Sequence, residues 1–315
     1  RQLLLQSKAG RESGLIPSGH AVVNTRLRAQ FDEAGWVREQ ISGVSNLFFL
    51  RQLAAQVDAD WPAVLAKLEE IRRHLVNRAR LTANVTVDAA SWQMVAPRLE
   101  AFLAALPAAP VAERPWQPPL APANEGLTVP AQVNYVAKGA NLVDLGYRPH
   151  GSVAVIANIL RTTYLWEKIR VQGGAYGAFN AFDRRSGVWS FLSYRDPNLR
   201  ATLDTYDATA DFLRSLHLPD DELTKGIIGA ISQLDAYQLP DARGYAALVR
   251  HLLGETDADR QQYRDEVLGT TPADFAAFAD VLAGVQAHGQ VVVMGSADAI
   301  AAANPDGWLQ VSKVL

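Results

Sequence analysis

The chain of 315 residues contains no cysteine. That removes disulfides, thiolate metal sites and a cysteine nucleophile at once. Its six histidines form no metal-binding spacing: none belongs to H-x-x-E-H or H-E-x-x-H, and His251, with Glu255 four residues on, has no second histidine after it. His20 in SGHAVVNT and His150 in RPHGS sit near helix starts, where a histidine is read as polar surface. No apolar run approaches the ~20 residues needed to cross a bilayer, and no signal peptide opens the chain. A formal net charge of −3 gives no electrostatic case for nucleic acid. Neither a membrane nor a nucleic acid is an expected partner.

What is there fits a globular protein with two cores. Hydrophobic residues make up 49% and charged residues 20% of the chain, which argues against disorder. The segment PAAPVAERPWQPPLAPANE is dense in proline and lacks an apolar period, so it reads as an extended linker. The expected organisation is a partial, mainly helical α+β domain over 1–106, a linker over 107–126 and a complete α+β domain over 127–315. The chain opens without methionine, directly in a helical stretch, which reads equally as a piece of a longer polypeptide or as a processed one. Arginine outnumbers lysine and alanine is abundant, a bias that hints at a GC-rich bacterial source; zero cysteine is compatible with any redox compartment, and a soluble protein of the bacterial cytoplasm is the expectation.

Before the linker, Val37, Ile41, Val44 and Phe48 trace one helical stripe. Val64, Leu68, Ile71 and Leu75 trace another, capped by Asp60. LTANVTVD alternates as a strand would, and a helix follows from about Ser91 to Leu106. After the linker, QVNYVA is a strand, and Asp196-Pro197 opens a helix carrying Leu203, Tyr206, Ala210 and Leu213. Leu223, Ile227, Ile231 and Leu234 mark a further helix, with Asp220, Asp221 and Glu222 satisfying its N-terminal dipole. Thr271 and Asp274 form a capping box. QVVVMG is a buried strand with a helix after it. Both blocks end in helices, a strand and a helix, so the fold class reads as α+β, with two related domains each holding a sheet covered by helices and the first incomplete at its N-terminus.

The most informative stretch is YLWEKIRVQGGAYGAF, Tyr164 to Phe179. Val153, Ile156, Leu160 and Tyr164 recur at helical spacing before it, and aromatic strands AYGAFNAF and GVWSFLSY follow. Gly173 and Gly174 permit the backbone to end the helix and reverse. Arg170 and Tyr176 then stand at either end of one turn, where both can face one ligand. GGAYG lacks the G-x-G-x-x-G and GK[ST] spacings of nucleotide loops. The alternatives for the pair are a solvated charge after a helix and a strand tyrosine half-buried in packing.

This stretch, continued through SGVWSFLSYRDPNL, resembles the C-terminal half of presequence proteases, zinc peptidases of the pitrilysin and insulin-degrading enzyme superfamily. The likeness runs from SGHAVVNTRLRAQF to VVVMGSADAI. It implies a clamshell zinc metalloendopeptidase whose N-terminal half holds zinc through H-x-x-E-H while the C-terminal half closes over the peptide. In this family an R-x5-Y pair before a strand contacts substrate and helps stabilise the reaction centre, a catalytic role that the resemblance carries to Arg170 and Tyr176, with Gly173 and Gly174 in the same substrate-facing turn. The resemblance thus implies no metal in this chain, zinc in the missing N-terminal half, that half as partner, and peptides as substrates. Two other functions stay open: a natural non-catalytic subunit that pairs with a separate zinc subunit, and an unrelated peptide-binding module.

Overall fold

Alternating side chains along three strands build the centre of the molecule. In β2 (Tyr135–Asn141), β4 (Val188–Tyr194) and β5 (Gln290–Gly295), nearly every residue is buried, so both faces of these strands meet apolar cover and their sequences read as continuous hydrophobic runs. With β1 (Glu125–Thr128), β3 (Gly177–Asp183) and β6 (Gln310–Lys313) they form one six-stranded sheet in the order β3-β4-β2-β5-β1-β6. β3, β4, β2 and β5 pair antiparallel, while β1 runs parallel to both β5 and β6. The fold is α+β. The structure is a computed structural model that describes residues 1–110 and 115–315.

The helices are α1 (Gln2–Gly14), α2 (Gly19–Arg28), α3 (Glu33–Ser42), α4 (Val44–Ala59), α5 (Trp61–Leu75), α6 (Ala89–Ala105), α7 (Ser152–Thr162), α8 (Arg200–Asp207), α9 (Thr209–Ser215), α10 (Asp220–Leu234), α11 (Pro240–Leu253), α12 (Asp257–Leu268), α13 (Pro272–His288) and α14 (Ala297–Ala303). By contact the chain divides into two compact units. One joins 2–51, 118–235 and 262–315; the other joins residue 1, 52–117 and 236–261. This grouping differs from the division at 1–106 and 127–315 expected from the proline-rich segment. The physical reason is α2, whose Val23 and Leu27 are fully buried in one core with Tyr135, Ala137, Leu192, Val292 and Met294.

In the larger unit, the opposite face of the sheet carries Val136, Trp189, Phe191, Val291 and Val293 beneath α7, α8, α9 and α13. The register explains the segregation: Ala137 stands opposite both Leu192 and Val292, so each neighbour pair falls on one face. Trp189 and Phe191 are core residues. An ion-pair cluster fastens α2 to the sheet. Arg26 donates Nε and Nη2 to the two oxygens of Glu125, both at 2.7 Å, and Nη1 lies 3.4 Å from Glu39 Oε1. Glu39 is only 1% exposed, and Ser45 N–H completes its Oε1 at 2.8 Å.

Several sequence expectations change here. The stripe of Val37, Ile41, Val44 and Phe48 is not one helix face: Gly43 separates α3 from α4. Val37 and Ile41 are exposed, and α3 buries Gly35 and Glu39. Gly43 has no room for a side chain, because a Cβ there would lie 1.7 Å from Glu39 Oε2. The expected linker end at 126 also moves, since Glu125 and Gly126 already pair as β1 with Val292 and Val293; part of that linker, 111–114, lies outside the described residues. Asp196 is not a helix cap. Its buried carboxylate accepts from Asn198 N–H at 2.9 Å and Thr202 Oγ1 at 2.7 Å, and α8 starts only at Arg200.

The smaller unit holds α5, α6 and α11. Asp60 caps α5, accepting from Ala63 N–H at 3.1 Å, and Asn77 ties 77–79 to the chain beyond α6 through Ala109 at 3.0 and 3.2 Å. Val64 is buried, but Leu68, Ile71 and Leu75 are exposed. LTANVTVD forms no strand. Strand structure requires a hydrogen-bonded neighbour, and among the described residues none pairs with 81–88. A long-range bond from this segment, Asn84 Nδ2 to Gly244 O at 3.3 Å, comes from a side chain.

Candidate functional site

The site is assembled where α7 gives way to β3. α7 buries Val153, Val155, Ile156, Ile159 and Leu160, and Tyr164, Leu165 and Ile169 continue the buried face. At Thr163 the backbone leaves helical geometry, with φ −116° and ψ −82°, while its hydroxyl bonds Ile159 O at 2.7 Å. The chain then winds as a π-helix over Trp166–Gln172, a rare form that recurs at functional sites. Arg170 lies on this wider turn, with Cζ 3.9 Å from the Trp166 ring centroid. A cation–π contact of this kind holds a guanidinium in place without using its donors.

Gly174 takes φ +77°, the left-handed conformation that closes helices. Its N–H bonds Arg170 O at 3.0 Å, and Ala175 N–H bonds Ile169 O at 3.0 Å, which satisfies carbonyls the helix end would otherwise leave bare. A Cβ on Gly173 would lie 2.6 Å from Ile169 O. Asn198 Nδ2 then clamps Gly173 O at 2.6 Å. Both glycines therefore build the turn through their backbone.

Tyr176 leaves this turn into the edge strand β3. It is 68% exposed, and its hydroxyl makes no hydrogen bond among the described residues. Its backbone N–H is shared between Tyr194 O at 3.0 Å and Arg195 O at 3.4 Å. Its ring stands edge-on to Tyr194, centroids 5.8 Å apart. No hydrogen bond joins Arg170 and Tyr176 among the described residues; the turn links them through backbone.

Tyr194 is the hub that motif reading missed. It also meets His20 edge-on at 4.9 Å and Tyr135 at 5.8 Å, and Arg195 Cζ stands 5.4 Å from its centroid. His20 is thus not simple polar surface. It packs against Phe179 as well, at 5.8 Å, its Nδ1 is buried without a partner, and burial lowers its pKa. The Tyr135 phenol is pushed up by burial and by Tyr194, against the opposing charge of Arg195.

The exposed faces of Trp166, Val171, Tyr176 and Phe179, with Arg170 nearby in sequence, combine apolar contact with free donors. This chemistry suits an extended polar backbone bearing apolar side chains. Among the described residues no group of three or more histidine, aspartate or glutamate side chains is placed to hold a metal ion.

Comparison with known proteins places the architecture. Residues 124–298 match the PreP C-terminal domain, and residues 1–53 match the family of domains associated with M16 peptidases of subfamily C. The chain belongs to the family of presequence-protease C-terminal domains, within the M16 peptidases. It is 45% identical over 318 residues to Presequence protease 1, chloroplastic/mitochondrial, of Arabidopsis thaliana, a match that covers all of this chain and 29% of that protein. It is 26% identical to protein HypA of Clostridium perfringens over 95% of this chain and 30% of that protein. The chain therefore spans less than a third of these relatives. A crystal structure of a protease from Helicobacter pylori is similar with a TM-score of 0.48 at 17% identity, over 66% of this chain and 53% of that one. No helix among the described residues is long and apolar enough to cross a membrane.

Proposed function

We propose that this chain is the substrate-binding, metal-free half of a clamshell zinc metalloendopeptidase that degrades peptides. Arg170 and Tyr176 face the peptide, and the partner is a zinc-bearing half. The observation that carries this reading is the exposed Tyr176 hydroxyl, without a hydrogen bond among the described residues, beside a turn whose backbone N–H groups from Gly173 to Tyr176 are all bonded. When water adds to a peptide carbonyl, the oxygen gains negative charge. Donors already aimed at it lower the barrier without reorganising. The tyrosine hydroxyl donates one hydrogen bond, and the arginine offers a planar fork and a permanent charge. Gly173 and Gly174 contribute the backbone reversal of this substrate-facing turn, which sets Arg170 and Tyr176 at its two ends.

The family membership and the length of the plant relative support a partner half that supplies the zinc. The arginine- and alanine-rich composition supports a bacterial source, for which we take the cytoplasm as the location, whereas the plant relative's name assigns that protein to chloroplasts and mitochondria. The reading is tested by mixing this chain with a separately produced zinc-bearing half and following a quenched fluorescent peptide. Cleavage is expected only when both are present. Chelator-sensitive cleavage by this chain alone, with stoichiometric zinc, contradicts it.

A further inference from the structure

Arg195 is the one non-glycine residue with positive φ among the described residues, at +48°. An L side chain in this region crowds its own backbone, and glycine is the residue that adopts it freely. The surroundings leave the backbone no choice. On one side, the carbonyls of Tyr194 and Arg195 share the Tyr176 N–H at 3.0 and 3.4 Å. On the other, Asp196 exchanges both backbone hydrogen bonds with Asn134, at 2.7 and 2.9 Å. Its fully buried carboxylate is held by Asn198 and Thr202. Between two fixed flanks, the sequence keeps arginine where glycine would be unstrained. Strain maintained in this way clusters at ligand-binding sites.

The side chain shows what the strain maintains. Arg195 is exposed, and its guanidinium stands 5.4 Å from the centroid of Tyr194, the same ring that Tyr176 meets edge-on. A guanidinium resting on an aromatic face uses none of its in-plane N–H donors there; one side of the Arg195 fork reaches the Tyr135 hydroxyl, and the remaining donors are left for another acceptor. We infer that Arg195 is a peptide-binding residue that donates to a carbonyl or carboxylate oxygen of the substrate beside Tyr176. This rests on the proposal that Tyr176 faces the peptide. Arg195 acts on the bound peptide away from the reacting carbonyl, so it governs affinity, whereas Arg170 and Tyr176 govern turnover.

The test is Arg195→Gly in the peptidase assembled with its zinc-bearing half. Glycine removes the guanidinium and relieves the backbone, so the melting temperature should hold or rise. KM should increase about tenfold, the effect of one charge-assisted hydrogen bond, with kcat within about twofold. Arg195→Lys, which restores the charge but not the fork, should recover part of the affinity. Comparing a peptide without acidic residues with an acidic one identifies the acceptor: equal weakening points to a carbonyl, weakening of the acidic peptide alone to a carboxylate. An unchanged KM for both peptides overturns the inference, and so does a sharply lowered melting temperature, which would make Arg195 a structural clamp. Tyr176→Phe in the same assay separates the two claims. If it slows turnover while Arg195→Gly is silent, only the role of Arg195 fails; if it too is silent, the functional reading itself fails.

Discussion

Tyr176 gives its backbone N–H to Tyr194 O at 3.0 Å and sets its ring edge-on to the Tyr194 ring at 5.8 Å. Tyr194 thus fixes both the main chain and the side-chain direction of the exposed tyrosine. Tyr194→Leu should keep the backbone bond but lose the ring contacts to Tyr176, His20 and Tyr135. The expected loss is about 1–3 kcal/mol of stability, from aromatic pairs and packing, together with a clear fall in turnover, read by thermal melting and peptide cleavage.

The glycine turn makes a sharper demand. Gly174 sits at φ +77°, so Gly174→Ala should cost about 1–2 kcal/mol through backbone strain. Space is not the obstacle, since its Cβ would meet only Pro197 at 3.6 Å. Chemical denaturation should show the lower midpoint with an unchanged slope.

His20 makes the aromatic cluster sensitive to pH. Burial lowers its pKa below 6.5, so the folded chain binds fewer protons than the unfolded chain between that lowered value and 6.5. Stability is then full above the unfolded value and is lost as pH falls through this window. Melting temperatures should drop between about pH 7.5 and 5.5, and His20→Gln should reduce that drop. An equal pH response in both proteins would show that other groups carry it.

Arg26 neutralises Glu39, whose carboxylate is almost wholly removed from water. Arg26→Ala should cost about 3 kcal/mol or more, chiefly by stranding that carboxylate and releasing Glu125. Chemical denaturation at neutral pH measures the loss.

Local chemistry was legible in the sequence, and pairing was not. Asp60 caps α5 and Thr271 with Asp274 boxes the start of α13, because a cap is settled within about four residues. Val153, Ile156, Leu160 and Tyr164 are buried as their spacing implied. LTANVTVD has the alternation of a strand, yet alternation cannot supply the partner that a strand needs. Val37 and Ile41 have helical spacing, but Gly43 breaks the helix and the buried position goes to Glu39, whose burial depends on an arginine thirteen residues away. The turn at Gly173 and Gly174 was readable from two glycines after an amphipathic run. The roles of His20, Tyr194 and Arg195 were not, because their meeting is set by the β3–β4 register and by α2 docking on the sheet.

The most direct test of the central claim is the single-turnover rate of peptide cleavage by the assembled peptidase carrying Tyr176→Phe or Arg170→Ala, with zinc content and melting temperature measured on the same samples. Removing one transition-state donor should slow the chemical step about 100- to 1000-fold while zinc and stability stay at wild-type values, and Arg170→Lys should not restore the rate fully. Wild-type rates in both variants would contradict the account and leave Arg170 and Tyr176 as ordinary surface packing.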